Sequence, residues 1–164
     1  MHFARCLRCF IPALFTVLAV QGAAAQSARN GQLEFNLSPY TYHFSPSPNH
    51  KPVWLLGLTQ VQEDGTLIAG AVFSNSFGQP SAAAQYGRRY LHPFGYDRWY
   101  VQWTAGVMYG YVEPYKNKVP LNYKGFSPVI VPSAGYQFTK KLSGELMLLG
   151  NSALMFQLAY DLPE

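Results

Sequence analysis

The groups able to do chemistry in residues 26–164 are His43, His50, His92, a Ser74-Asn75-Ser76 triplet and a few carboxylates, with no cysteine. A histidine beside a serine hydroxyl supplies a general base and a hydroxyl, the parts that acyl transfer requires. His43 with Ser76 is therefore the first pair to test for proximity. Plainer readings stand beside that one: a histidine closing an apolar segment is an interface or loop residue, and Ser-Asn-Ser is ordinary turn chemistry. The sequence holds no metal-ligand spacing, no phosphate-binding loop and no long repeat, so neither a metal nor a cofactor is expected.

Whether His43 and Ser76 can meet depends on the elements that carry them. Eight segments show the period-two alternation of β-strands: 37–44, 53–62, 66–74, 82–90, 99–110, 128–138, 142–149 and 152–161. The fifth is clearest. Trp99, Val101, Trp103, Ala105, Val107 and Tyr109 share one face, and Tyr100, Gln102, Thr104, Gly106 and Met108 the other. Glu63-Asp64-Gly65 and Thr139-Lys140-Lys141 make short connections, whereas 45–52 and 112–127 make long ones. Short turns at one end and long loops at the other describe an eight-stranded antiparallel outer-membrane β-barrel. The connection 91–98 is longer than that pattern predicts. If the first strand runs outward, His43 and the 74–76 triplet both close rising strands and share the outer rim.

Composition fits a lipid-facing exterior. Charged residues are only 12% of the 164 and aromatic residues 16%, whereas a soluble domain has about a quarter charged. A soluble lipocalin-like barrel is the alternative, but it would turn its large apolar residues inward. Arg5, Arg8, the apolar run 10–20 and the small residues 22–25 read as a secretory signal peptide over 1–25. Residues 26–164 then form a single barrel domain. That assignment removes Cys6-x-x-Cys9 as a redox or metal pair. Of the 12 basic residues, Arg5 and Arg8 leave with the leader, and the remaining ten against eight acidic are too balanced for nucleic-acid binding.

The inward phase of three strands suggests a divided lumen. Gln102, Thr104, Ser143, Glu145, Gln157 and Asp161 fall in the inner half, and Gly106, Met108, Met147, Leu149, Ala153 and Met155 in the outer half. Two readings fit: an acyl-chain pocket opening outward, and the ordinary packed interior of a small barrel. Lys116, Lys118 and Lys124 lie in the long outer loop, where they either meet the phosphates of an anionic glycolipid or are simply solvated.

In chain order, Trp54-Leu55-Leu56-Gly57-Leu58, Asp64-Gly65, Phe73-Ser74-Asn75-Ser76-Phe77, Tyr86-Gly87, Thr104-Ala105-Gly106-Val107, Pro128-Val129-Ile130-Val131-Pro132 and Gly135-Tyr136 resemble the PagP-type lipid A palmitoyltransferases. The resemblance spans about Tyr42 to Gly150. It implies an eight-stranded outer-membrane barrel that moves a palmitoyl chain from a phospholipid to the lipid A part of lipopolysaccharide. By position, His43, Asn75 and Ser76 are the implied catalytic residues. Gly87 resembles the pocket floor and Pro132 a wall proline associated with lateral lipid access. Pro128 in the resembling motif, and Met108, Met147 and Met155 from the inward strand phase, complete the expected substrate-binding set. Partners would be the phospholipid donor, the lipopolysaccharide acceptor and membrane lipid, with no nucleic acid and a monomeric barrel. The family's aspartate falls on Asn75, which cannot ionise. A functional arginine falls on Gly110, a second wall proline near Leu149, and the amphipathic N-terminal helix is cut to residues 26–36. A non-catalytic lipid-binding or structural barrel and a lipid hydrolase are the alternatives.

Overall fold

A computed structural model describes residues 30–163; the expected leader lies outside the described residues. The chain forms β1 (Gln32–His43), β2 (Trp54–Val61), β3 (Thr66–Ser74), β4 (Pro80–Leu91), β5 (Trp99–Tyr109), β6 (Phe126–Gln137), β7 (Leu142–Leu149) and β8 (Ala153–Asp161). Each strand pairs antiparallel with its chain neighbours, and β8 returns to β1, closing the barrel. Closure gives every strand two partners, so no strand is an edge strand over its whole length.

Alternation dictates which side chains meet which solvent. On β5, Tyr100, Gln102 and Thr104 are buried inward, while Trp99, Val101 and Trp103 are exposed outward. Outward faces elsewhere carry Leu56, Leu58, Ile68, Val72, Ile130 and Leu146, all exposed. Tyr42, Trp54, Tyr109 and Phe126 ring the outer end, and Trp99, Tyr136, Phe138 and Tyr160 the inner end. An aliphatic belt between two aromatic girdles is the exterior of a transmembrane barrel.

Three strand starts differ from the sequence expectation by two residues or more. β1 begins at Gln32, so residues 32–36 are strand and not the remnant of a helix. Glu34 and Asn36 are hydrophilic but inward-facing, which hid the alternation from a reading based on apolar residues. β4 and β6 each begin two residues earlier than their turn signals suggest, at Pro80 and Phe126. The long 91–98 connection contains a 3-10 turn at Pro93–Gly95.

Two irregularities shape the outer half. β1 shifts register against β8 between Leu37 and Tyr40. Below this bulge the even residues Gln32 to Ser38 face inward; above it Thr41 and His43 do. The Ser38 hydroxyl donates to the Phe156 carbonyl at 2.5 Å. The second irregularity is a pair of interrupted ladders. β6 pairs with β5 along its whole length but with β7 only from Ser133 to Gln137, and β1 pairs with β2 only as far as Ser38. Proline cannot donate to a ladder. Pro128 and Pro132 face lipid on the open stretch of β6, and Pro39 starts the open stretch of β1.

Candidate active site

The inner half of the lumen is closed by a buried polar layer. The Arg89 guanidinium donates to the two Glu34 carboxylate oxygens at 2.6 and 3.0 Å and to Gln102 Oε1 at 2.8 Å. It also lies 3.5 Å from Glu145 and 4.1 Å over the Tyr100 ring. Glu145 accepts from the Tyr100 hydroxyl at 2.8 Å and from the Gln102 and Gln157 amides at 3.2 Å. Arg89, Glu34 and Glu145 are 3%, 2% and 1% exposed. Gly135 on β6 leaves the space that the Tyr100 ring fills. This layer blocks the lumen from the inner side.

Above it, the inward side chains are smaller and half-exposed: Gly57, Ala71 and Ala83, with Met108, Met147 and Leu149. Met155 and Val131, each 4% exposed, are the next inward residues above Gln157 and Ser133. The outer half is therefore a largely apolar well of small or half-exposed side chains above a polar floor, the division of polarity that the inward phases predicted. Eight residue steps along β4 separate Arg89 from Ser81; at about 3.3 Å per step and a tilt of about 40°, that depth is about 20 Å.

Gly87 lies in this inward phase, one step above Arg89. A Cβ there would overlap the backbone carbonyl oxygen of Trp103. Its missing side chain serves the close approach of β4 to β5 as well as the space above the floor. Pro128 and Pro132 do not line the well; they sit on its outer wall beside the interrupted β6–β7 ladder. A shallow groove of about 510 Å³ runs outside that wall, lined by Tyr90, Val101, Trp103, Pro132, Ala134, Leu146 and Leu148.

At the outer rim, His43 Nε2 and Ser76 Oγ are hydrogen-bonded at 2.8 Å. Three features bring them together. The β1 bulge turns His43 inward, the β3 end delivers Ser76, and the Lys51 N–H donates to the Ser76 carbonyl at 2.9 Å, tying loop 44–53 to loop 75–79. His50, from the same loop, lies against His43 with the rings tilted and their centroids 4.3 Å apart, and meets Phe77 edge-on at 5.5 Å. Phe77 stacks on Tyr115 at 4.1 Å, with the Lys118 ammonium 5.7 Å above its ring. Lys116 pairs with Glu113. Glu113 is the single carboxylate of the outer loops, so Lys51, Lys118 and Lys124 make that face positive.

Asn75 is 1% exposed and does not reach His43. Its Oδ1 accepts from the Phe77 and Gln79 N–H groups at 2.9 and 3.1 Å, and its Nδ2 donates to the Gly110 carbonyl at 3.1 Å and to Gln79 Oε1 at 3.3 Å. It thus clips loop 75–79 to the end of β5. Gly110, with φ +146°, has no room for a side chain, because a Cβ would overlap Ser81. The Tyr111 hydroxyl lies close to Ser76.

A hydroxyl hydrogen-bonded to a neutral imidazole can lose its proton to that imidazole as it attacks a carbonyl. The rim therefore has the parts for ester chemistry above the largely apolar outer half of the lumen. Sequence reasoning paired His43 with Ser76 but gave no role to His50, Phe77, Tyr111 or Arg89. Tyr111 was reachable by the same rule, since β5 rises like β1 and β3 and delivers the residues that follow it to the same rim.

Compared with known proteins, the chain matches no family model and no curated protein sequence. Among solved structures it is similar to a designed transmembrane barrel (De novo design of transmembrane beta-barrels), with TM-score 0.61 at 14% identity, covering 83% of this chain and 99% of the designed one. That likeness establishes the transmembrane-type eight-stranded barrel fold.

Proposed function

We propose that this barrel is an outer-membrane acyltransferase that moves a palmitoyl chain from a phospholipid to the lipid A part of lipopolysaccharide, as the PagP-type enzymes that its sequence resembles do. The observation that carries the reading is the 2.8 Å His43 Nε2–Ser76 Oγ bond at the mouth of an apolar well inside a lipid-facing barrel. A well of about 20 Å accommodates an extended chain of about sixteen carbons. The interrupted β6–β7 ladder beside Pro132, with the apolar groove outside it, gives a lipid chain a way in from the membrane side. The cationic outer loops suit the phosphates of both lipids.

In this mechanism the acyl chain fills the well and its ester lies at the rim. His43 Nε2 takes the proton of the attacking hydroxyl and returns it to the leaving oxygen. Ser76 supplies that hydroxyl itself or orients the hydroxyl of the acceptor. The donor, the acceptor and the outer-membrane location all belong to the proposal.

Mass spectrometry of lipid A from bacteria with and without the protein tests it. The expected gain is one palmitoyl chain, lost in His43→Ala and Ser76→Ala variants that still give the folded, heat-modifiable band on gels. Unchanged lipid A in all strains refutes the transferase. Accumulated free fatty acid with no gain on lipid A identifies a hydrolase instead.

A further inference from the structure

Tyr111 follows the sharp turn at Gly110, and two side-chain bonds fix its backbone. Asn75 Nδ2 donates to the Gly110 carbonyl at 3.1 Å, and Asn122 Nδ2 donates to the Tyr111 carbonyl at 2.7 Å. The Tyr111 ring meets Phe77 edge-on at 6.2 Å. Its hydroxyl lies beside both the hydroxyl and the backbone N–H of Ser76. Ser76 Oγ therefore has two polar neighbours, the His43 imidazole and the Tyr111 phenol.

The orientation of Asn75 is set by its partners. One end faces two N–H donors and the other faces two oxygens, so only the carboxamide, in this orientation, satisfies all four. An aspartate would keep the two acceptor bonds and set an anionic oxygen against the Gly110 carbonyl. Asparagine at this position is thus matched to holding Tyr111 and not to orienting His43.

We propose that Tyr111 is a catalytic residue of the rim site, donating a hydrogen bond to the oxyanion formed on the lipid ester, and that Asn75 is the residue that positions it. This rests on the acyl-transfer reading and adds the group that reading lacks, a donor for developing negative charge. A hydroxyl oxygen bonds to the ester carbonyl carbon while its proton passes to His43 Nε2, and the carbonyl π pair moves onto oxygen. The Tyr111 O–H donates to that oxygen and keeps its own proton. On collapse the pair re-forms the carbonyl, the bond to the lysolipid oxygen breaks, and that oxygen takes the proton from His43. Burial raises the Tyr111 phenol above the usual tyrosine range, so it is a protonated donor at neutral pH.

Steady-state transfer in detergent or liposomes, with rates expressed per folded barrel, tests the assignment. Tyr111→Phe should lower kcat by about 100- to 1000-fold with little change in KM, the loss typical of a removed oxyanion donor. Asn75→Asp should lower kcat too, and should add less than about threefold in the Tyr111→Phe background, because both act through one hydrogen bond. Difluorotyrosine at position 111, a more acidic phenol of nearly the same shape, should move the alkaline limb of kcat to lower pH. Tyr111→Phe with kcat within threefold of wild type overturns the tyrosine assignment alone. Asn75→Asp with raised kcat overturns the positioning role and assigns position 75 to His43 instead. A wild-type protein that transfers nothing overturns the acyl-transfer reading, and the tyrosine's role with it.

Discussion

Arg89 is the most consequential side chain in the lumen for stability. Arg89→Met keeps an unbranched side chain, shorter than arginine's, and removes its charge. Its hydrogen bonds to Glu34 at 2.6 and 3.0 Å, to Gln102 at 2.8 Å and its 3.5 Å approach to Glu145 disappear together. Two carboxylates, 2% and 1% exposed, are left facing one another without the only cation of the layer. Removing one partner of a buried ion pair costs about 3–5 kcal/mol, most of it from the charge left behind. With a urea slope of about 2 kcal/mol/M, the unfolding midpoint should fall by about 2 M. Tryptophan fluorescence in liposomes reports the transition, because Trp54, Trp99 and Trp103 all face lipid and are exposed to water on unfolding. The triple variant Glu34→Gln, Arg89→Met, Glu145→Gln should recover most of the loss, since neutral amides leave no uncompensated charge. If Arg89→Met unfolds within about 0.5 kcal/mol of wild type, the layer is not the electrostatic unit described here.

Two further outcomes follow from the wall and the well. Pro132→Val restores a backbone N–H opposite Leu148, so the β6–β7 ladder should lengthen, raising stability by about 0.5–1.5 kcal/mol while slowing lipid transfer; hydrogen exchange reads the new bond, and an unchanged transfer rate removes this opening as the lipid's route. Ala83→Met fills the outer half of the well, so the acyl chain preferred in transfer should shorten by several carbons, as mass spectrometry of the products would show; an unchanged chain length places the well's occupant elsewhere.

The fold was legible because a membrane barrel writes its two solvents into alternate residues. β5, β7 and β8 carry that alternation without interruption, and their inward phases held. β1 was read only in part. Its lower half alternates Gln32, Glu34 and Asn36 with Leu33, Phe35 and Leu37, a strand pattern masked by polar residues where a core is usually apolar. Its upper half faces inward on the opposite parity because of a bulge that no single residue announces. The His43–Ser76 pairing was legible from topology alone, since two rising strands end on one rim. The Arg89 layer was not, because partners 55 positions apart, Glu34 and Arg89, are joined by barrel curvature and not by any local spacing. Nor was the role of Asn75. As an isolated letter it reads as a lost acid, and only the Gly110 carbonyl opposite its amide shows what the nitrogen is for.

On the acyl-transfer reading, the divided lumen is what lets so narrow a barrel hold a chain. An eight-stranded barrel is just wide enough for its own side chains to fill. Keeping one half open requires small residues such as Ala71 and Ala83 where larger ones would pack, and each forgoes burial worth about 1 kcal/mol or more; Gly106, like Gly87, instead admits the neighbouring strand's backbone. The inner half is closed with charge and hydrogen bonds in place of aliphatic packing: one guanidinium between two carboxylates, with every Arg89 nitrogen engaged. Filling the well should therefore stabilise the barrel as it removes activity, whereas damage to the Arg89 layer should do the reverse, lowering stability before the rim geometry changes. A barrel built only for rigidity has no need of that opposition between its halves.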